Sequence, residues 1–323
     1  MKQGGFVGRA CALLLVLLSL MTTGASAQDR RPLRIIIPFA AGGSSDAIAR
    51  TLAERLTAVL AQPVLVEAKP GGSGLIATKH VLGQPADGEN LFLTSPTVTI
   101  ILPRISKLDF DPLTEFAPVS NVGANAFALG LKSSLPVKNL AEFIEYARGQ
   151  KGRMNYASGG SGTSTHLVAA LFFRRAGIEL NHIPYKGGAP AMQDLLGGHV
   201  DAYFGNPADF LGQEAGVKVR VIGVSGDKRA PELPGVPTIG ESFPGFRLVT
   251  WNGLVARAGT PPAVIERLSR AVQQVSREPE YIQRMAKFGI DPIGDTAAQF
   301  GETIRRDRVL WDEAIKVANI KVD

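Results

Sequence analysis

Leu33-Arg34-Ile35-Ile36-Ile37-Pro38-Phe39-Ala40-Ala41-Gly42-Gly43-Ser44-Ser45-Asp46 leads into a helix-patterned stretch, residues 47–60. Residues 33–38 are apolar at nearly every position, the pattern of a strand buried on both faces. Residues 47–60 place Ile48, Leu52, Leu56, Val59 and Leu60 on one side of a helix. Glycines and serines fill the loop between them. Strand, loop and helix in that order predict an α/β chain.

The alternation continues in both directions from this unit. Strands are expected at 63–67 and 91–94, with a helix at 74–81 between them. Residues 116–131 form a long apolar, extended run that predicts a strand crossing to a second lobe. There the pattern repeats. Helices are expected at 140–148, 164–176 and 189–196, and strands at 154–156, 181–185, 202–204 and 219–224. Residues 246–255 are again apolar and extended, and predict the return crossing. Pro261 suits the first position of a helix, and further helices are expected at 279–288 and 296–317. Such alternation predicts parallel sheets. The expected architecture is two α/β lobes around a central cleft: residues 28–127 with 250–323, and residues 128–249.

The N-terminus predicts a compartment. Lys2 and Arg9 precede an apolar run over residues 10–20, and Ala25-Ser26-Ala27 supplies small residues. That is a secretory leader, with cleavage expected between Ala27 and Gln28 and a periplasmic mature protein. The run is shorter than the roughly 20 residues that span a bilayer. Cys11 is the single cysteine and lies at the start of the apolar run rather than after it, so it is not read as a lipid anchor. Neither disulfides nor thiol chemistry is expected in the mature chain. Of 323 residues, 27 belong to the leader, which leaves 296, enough for two modest domains. Removing Lys2 and Arg9 from the formal charge of +6 leaves +4. These charges are interspersed, with no basic stripe of the kind that binds nucleic acid. A mild positive field suits small anions.

Four loops fall at predicted strand ends, where open α/β sheets bind ligands. The first is residues 38–46. Its free amides open a helix, whose N-terminus holds carboxylates without a cationic side chain. Asp46 reads there as a cap or first-turn acid. The second is Thr94-Ser95-Pro96-Thr97, by itself an ordinary Ser-Pro turn. The third is residues 156–167, with Ser158, Gly162, Thr163, Ser164 and Thr165 ahead of a strong helix. His166, in its first turn, reads as structural. The fourth is residues 204–209, with Asn206. Two helix N-termini facing one another would clamp a carboxylate.

Other patterns carry less. Gly72-Ser73-Gly74-Leu75-Ile76-Ala77 matches a dinucleotide fingerprint, but no acidic residue closes a following strand at the needed spacing. No G-x-S-x-G elbow, P-loop or H-E-x-x-H pattern occurs. His80, His166, His182 and His199 lack metal spacing, and Asp194 and Asp201 read as a solvated face. No cofactor, metal or catalytic set is expected.

At these loops the chain resembles the extracytoplasmic binding proteins of tripartite tricarboxylate transporters, the Bug proteins expanded in Bordetella. The matching stretches are residues 37–50, 67–74 (Glu-Ala-Lys-Pro-Gly-Gly-Ser-Gly), 156–167, 183–190, 195–202 and 229–237. They cover the mature chain in order. The resemblance implies a type II periplasmic-binding-protein fold that closes on a carboxylate through amides, hydroxyls and ordered water. Carried over by position, it implies contacts from Phe39, Gly43, Ser44 and Asp46, from Ser95, from Ser158, Gly162, Thr163 and Thr165, and from Asn206. The chain departs from the family pattern at Ala41, where proline is common, and at Gly205, where an acid is common. A ligand ammonium would therefore lack a partner. The expectation is a plain mono- or dicarboxylate, aromatic acids included, handed by a monomer to the membrane subunits of a transporter. A ligand-dependent sensor and a secreted hydrolase or lyase are the rival readings.

Overall fold

The computed structural model describes residues 31–211 and 218–318. The expected leader, its cleavage site and Cys11 lie outside the described residues.

The opening unit forms from its apolar pattern. Strand β1 (Leu33–Ile37) is buried except at Arg34, which reaches the sheet edge and pairs with Glu67 at 3.0 Å. Helix α1 (Ser44–Leu60) buries Ile48, Leu52 and Leu56 against that sheet and ends at Ala61, in the left-handed region at φ 48°. Strand β2 (Val64–Ala68), helix α2 (Leu75–Leu82) and strand β3 (Asn90–Thr94) follow. β1 pairs in parallel with both β2 and β3.

Strand β4 (Phe116–Ala126) leaves this sheet, and β5 (Ala128–Lys132) enters the next. The second sheet adds β6 (Asn155–Ser158), β7 (Asn181–Pro184), β8 (Ala202–Gly205) and β9 (Val219–Val224), with order β7-β6-β8-β5-β9. Helices α3 (Leu140–Gln150), α4 (Ser164–Ala176) and α5 (Gly188–Leu196) cover it. Strand β10 (Val249–Arg257) returns to the first sheet, whose order is β11-β4-β10-β3-β1-β2, with β11 at Asp291–Pro292. Helices α6 (Pro262–Val275), α7 (Pro279–Ala286) and α8 (Ala297–Ala318) complete the described chain.

Both sheets are mixed, which corrects the all-parallel expectation. β10 runs antiparallel to β3 and β4, and β5 runs antiparallel to β8 and β9. The reversed strands are those tied to the crossings: a strand that comes back must run against the one that went out. The outward crossing is also two strands rather than one, interrupted at Phe127. There the Phe127 N–H donates to Ser225 Oγ at 2.8 Å, and the Ser225 N–H returns to the Phe127 carbonyl at 2.8 Å. Ser225 likewise ties the return crossing, accepting the Leu248 N–H at 3.0 Å and donating its hydroxyl to the Leu248 carbonyl at 2.5 Å. Phe127 meets Trp311 of α8 edge-on, at 6.3 Å between ring centroids.

Smaller corrections have local causes. Pro261 is the cap of α6, and Pro262 takes the first helical position. Ser95-Pro96 opens a wide helical turn over Thr97–Ile101 that runs on into Leu102–Ile105. Val98, Ile100 and Ile101 are buried in the core there, and that burial outweighs the turn preference of the dipeptide. Asp201 does not sit on a solvated face: its carboxylate pairs with Lys132 at 2.6 Å and accepts the Asn155 N–H. Among the described residues no helix is long and apolar enough to cross a membrane, and no cluster of His, Cys, Asp and Glu could hold a metal.

Candidate functional site

Three helices begin at one cavity between the sheets. α1 starts after Gly43, α4 after Thr163 and α5 after Gly187, and all three cap residues line the space. Each start turns the positive end of a helix dipole toward the space, although the first N–H groups of α1 and α4 already have partners, Asp209 and Thr97. About 540 Å³ of empty space lies here, part of it open to solvent. Ser44, Ser45, Thr97, Ser164, Thr165 and Thr250 put hydroxyls on the wall, and Asn206 and Asn252 add amides. Phe39, Phe127 and Tyr203 supply its aromatic surface. No Lys, Arg, Asp, Glu or His is on the lining.

Of the residues expected at the site, Phe39, Gly43, Ser44 and Ser95 line the cavity from one side. Thr163, Ser164, Thr165 and Asn206 line it from the other. The Ser95 hydroxyl is buried without a protein partner, and so is free to serve a ligand. Asp46, Ser158 and Gly162 are not on the lining, because each is spent locally. Asp46 Oδ2 accepts the Gly42 N–H at 3.1 Å, and the carboxylate pairs with Arg50 one turn on. Ser158 Oγ bonds the Gly160 carbonyl at 3.0 Å and His182 Nε2 at 2.6 Å. The Gly162 N–H donates to His166 Nδ1 at 3.0 Å. Gly187 and Gly188 were legible only as part of a matching stretch. Thr250 and Asn252 lie within the return crossing, where nothing in the local pattern marks which side chains turn to the cleft.

Residues 48–320 match the tripartite tricarboxylate transporter family receptor. The chain belongs to that family. Among solved structures it is similar to an R. palustris protein described as Rpa4515 with adipate, at 29% identity and TM-score 0.87 over 91% of this chain and 99% of that one. It is similar to the periplasmic binding protein BugD, at 32% identity and TM-score 0.86 over 90% and 99%. MatC from Rhodopseudomonas palustris with bound malate gives 25% identity and TM-score 0.83 over 89% and 99%. The protein is thus a solute-binding protein of this receptor family, with its two-lobed α/β fold.

As a family receptor, the chain meets itself across the cleft through side chains. Thr97 Oγ1 lies 2.9 Å from Ser164 Oγ and accepts the Ser164 N–H at 3.0 Å. Asn206 Nδ2 donates to Ser44 Oγ at 2.9 Å, and its Oδ1 accepts from Asn125 at 2.9 Å. Gly205 has a packing cause. A Cβ there would stand 2.4 Å from the Tyr203 ring and 2.8 Å from Asp209 Oδ2. Asp209 itself is buried behind the wall. Its Oδ2 accepts the Tyr203 hydroxyl at 2.7 Å and the Asn206 N–H at 2.9 Å. Burial pushes its carboxyl pKa up, against the pull of those hydrogen bonds.

A histidine pair supports the third loop from behind. His166 and His182 stack with centroids 3.7 Å apart and an interplanar angle of 13°, and Tyr156 lies 5.0 Å from His182. Burial pushes His166 down to about 3, with a further push from His182, and burial pushes His182 down to about 4. Both are neutral in the fold, and protonate first in the unfolded chain, near pH 6.5. Their contribution is complete above that pH and is lost as pH falls from 6.5 toward 4, at roughly 1.4 kcal/mol for each unit of depression. Denaturant melts across pH 7.5 to 4 should show this fall, and His182→Asn should flatten it. An unaltered pH profile in that variant would remove the pair from the account.

Proposed function

We propose that this receptor captures a small carboxylate, a plain mono- or dicarboxylate with aromatic acids included, and delivers it to the membrane subunits of a tripartite tricarboxylate-type transporter. One observation carries the proposal: three helix N-termini converge on a hydroxyl-lined cavity with no cationic side chain on its wall. Fixed helix dipoles and the hydroxyls around them hold an anion there without a countercharge. The description of the similar proteins with adipate and with malate supports the same ligand class. The lining offers hydroxyls but no base within the wall to activate one, which favours capture over catalysis.

The proposal extends to the chain's organisation. Residues 28–127 and 250–323 are taken as one lobe and 128–249 as the other, with the leader 1–27 removed after Ala27 on export to the periplasm. The two sheets support that division.

A ligand that binds only the folded state raises its melting temperature. A thermal-shift screen followed by calorimetry should include adipate, malate, benzoate, aspartate and glutamate. At least one plain acid should stabilise the protein and bind more tightly than either amino acid. Tighter binding of aspartate or glutamate than of every plain acid would overturn the ligand class.

A further inference from the structure

The Gly71–Gly74 loop is left without a role by the cavity. It precedes α2 and supplies the two glycines of the Gly72–Ala77 dinucleotide pattern, yet it lines no part of the ligand space. Its backbone is costly. Ser73 sits at φ 52°, in the left-handed region that favours glycine, between Gly72 at φ 56° and Gly74 at φ 102°. A serine kept where glycine would be easier points to a use for its side chain.

The structure shows where that side chain goes. Ser73 Oγ donates to the carbonyl of Ser161 at 2.5 Å. Ser73 belongs to the β2–α2 connection of the first sheet, and Ser161 to the β6–α4 loop of the second. The two ends of this bond therefore lie on opposite sides of the cleft. The Ser161 loop also supplies Thr163 and Ser164 to the cavity wall. Gly160, at φ 140°, lies beside this bond: a Cβ there would crowd the Tyr185 carbonyl at 3.2 Å and touch Ser73 Oγ at 3.4 Å. Gly74 is equally constrained, since a Cβ would stand 2.5 Å from Val98. A second cross-cleft bond, from the Ala40 N–H to the Lys186 carbonyl at 3.0 Å, joins the lobes through backbone alone.

We propose that Ser73 is a positioning residue that latches the cleft from outside the ligand cavity, drawing the Ser161 loop, and with it the start of α4, onto the first lobe. The other hydroxyl bridges, Thr97 to Ser164 and Asn206 to Ser44, use groups on the cavity wall, where a ligand competes for them. The Ser73 bond does not face that competition. It favours the closed arrangement whether or not the cavity is filled, and sets how far the open and closed populations lie apart before any solute arrives.

The latch is independent of the ligand class and is tested without a ligand. In the mature protein, freed of the leader that carries Cys11, Ala141→Cys on α3 and Ala263→Cys on α6 place one spin label on each lobe, at exposed positions. Inter-label distance distributions of the ligand-free protein report the closed fraction. Loss of one neutral hydrogen bond corresponds to a roughly three- to tenfold shift toward the open state. Ser73→Ala removes the hydroxyl and keeps the backbone strain. Ser73→Gly removes the hydroxyl and relieves the strain, so its melting temperature should hold or rise while its closed fraction falls as far as in Ser73→Ala. A closed fraction in Ser73→Gly equal to that of the parent would overturn the latch. A carboxylate screen that finds no ligand would leave this result untouched.

Discussion

Ser164→Asp is expected to cut carboxylate affinity by roughly 30- to 1000-fold while the protein stays folded. Ser164 is the first residue of α4, buried on the cavity wall beside Thr97. An aspartate at a helix start is locally favourable, because it faces the positive end of the dipole. The same charge sits where the ligand's carboxylate would rest. Two like charges about 4 Å apart repel by about 4 kcal/mol at an effective dielectric of 20, and water in the open part of the cavity reduces this toward 2 kcal/mol. Ser164→Asn has nearly the same volume as the aspartate and no charge. It separates repulsion from crowding, and should lose far less. Calorimetry with the tightest acid from the screen, alongside circular dichroism for the fold, decides the matter. Equal affinities for the aspartate and asparagine variants would mean that α4 does not face the ligand's charge.

The second large effect concerns the frame. Gly253→Ala should destabilise the protein by about 3 kcal/mol or more. Gly253 lies in β10 opposite α8, and a Cβ there would stand 1.9 Å from Phe300 Cζ. The Phe300 ring has no room to retreat: it is fully buried and meets Trp251 edge-on at 5.1 Å. Trp251 is held in turn by Asp307, which accepts its Nε1–H at 3.1 Å. Urea unfolding of the variant measures the loss. Phe300→Leu removes the clashing atom, so the double variant should recover part of the stability and the two changes should be strongly non-additive. Additive losses would place the cost in the backbone of β10 rather than in the ring.

How far the sequence discloses all this depends on the range of the forces involved. Residues 33–60 announce themselves because burial repeats at the period of the element that does the burying. The same holds for residues 164–176 and 219–224, whose expected and observed limits coincide. The helical turn at Thr97 was hidden, since Ser95-Pro96 favours a turn and only the distant core that Val98 and Ile101 join overrides it. The break at Phe127 was hidden too. A largely apolar run, interrupted by glycine and asparagine but not at Phe127, says nothing of the serine almost a hundred residues away that captures its backbone. At the site, loop chemistry located α1 and α4 because glycine and hydroxyl residues cluster at their starts. Whether a given side chain then turns inward is settled by partners far along the chain. Ser158 is claimed by His182 and Asp46 by Arg50, whereas Asn252 and Thr250 reach the cavity from a strand that reads as plain core.

Ser225 joins both crossings through its amide, its carbonyl and its hydroxyl. To slide one lobe past the other would break those bonds together, while a turn about them asks only for small torsions nearby. By that geometry the residue would act as the axle of any rotation between the two sheets. Phe127 borders the cavity and is itself bound to that axle. A solute resting against Phe127 would therefore lie beside the bonds that tie the two crossings together.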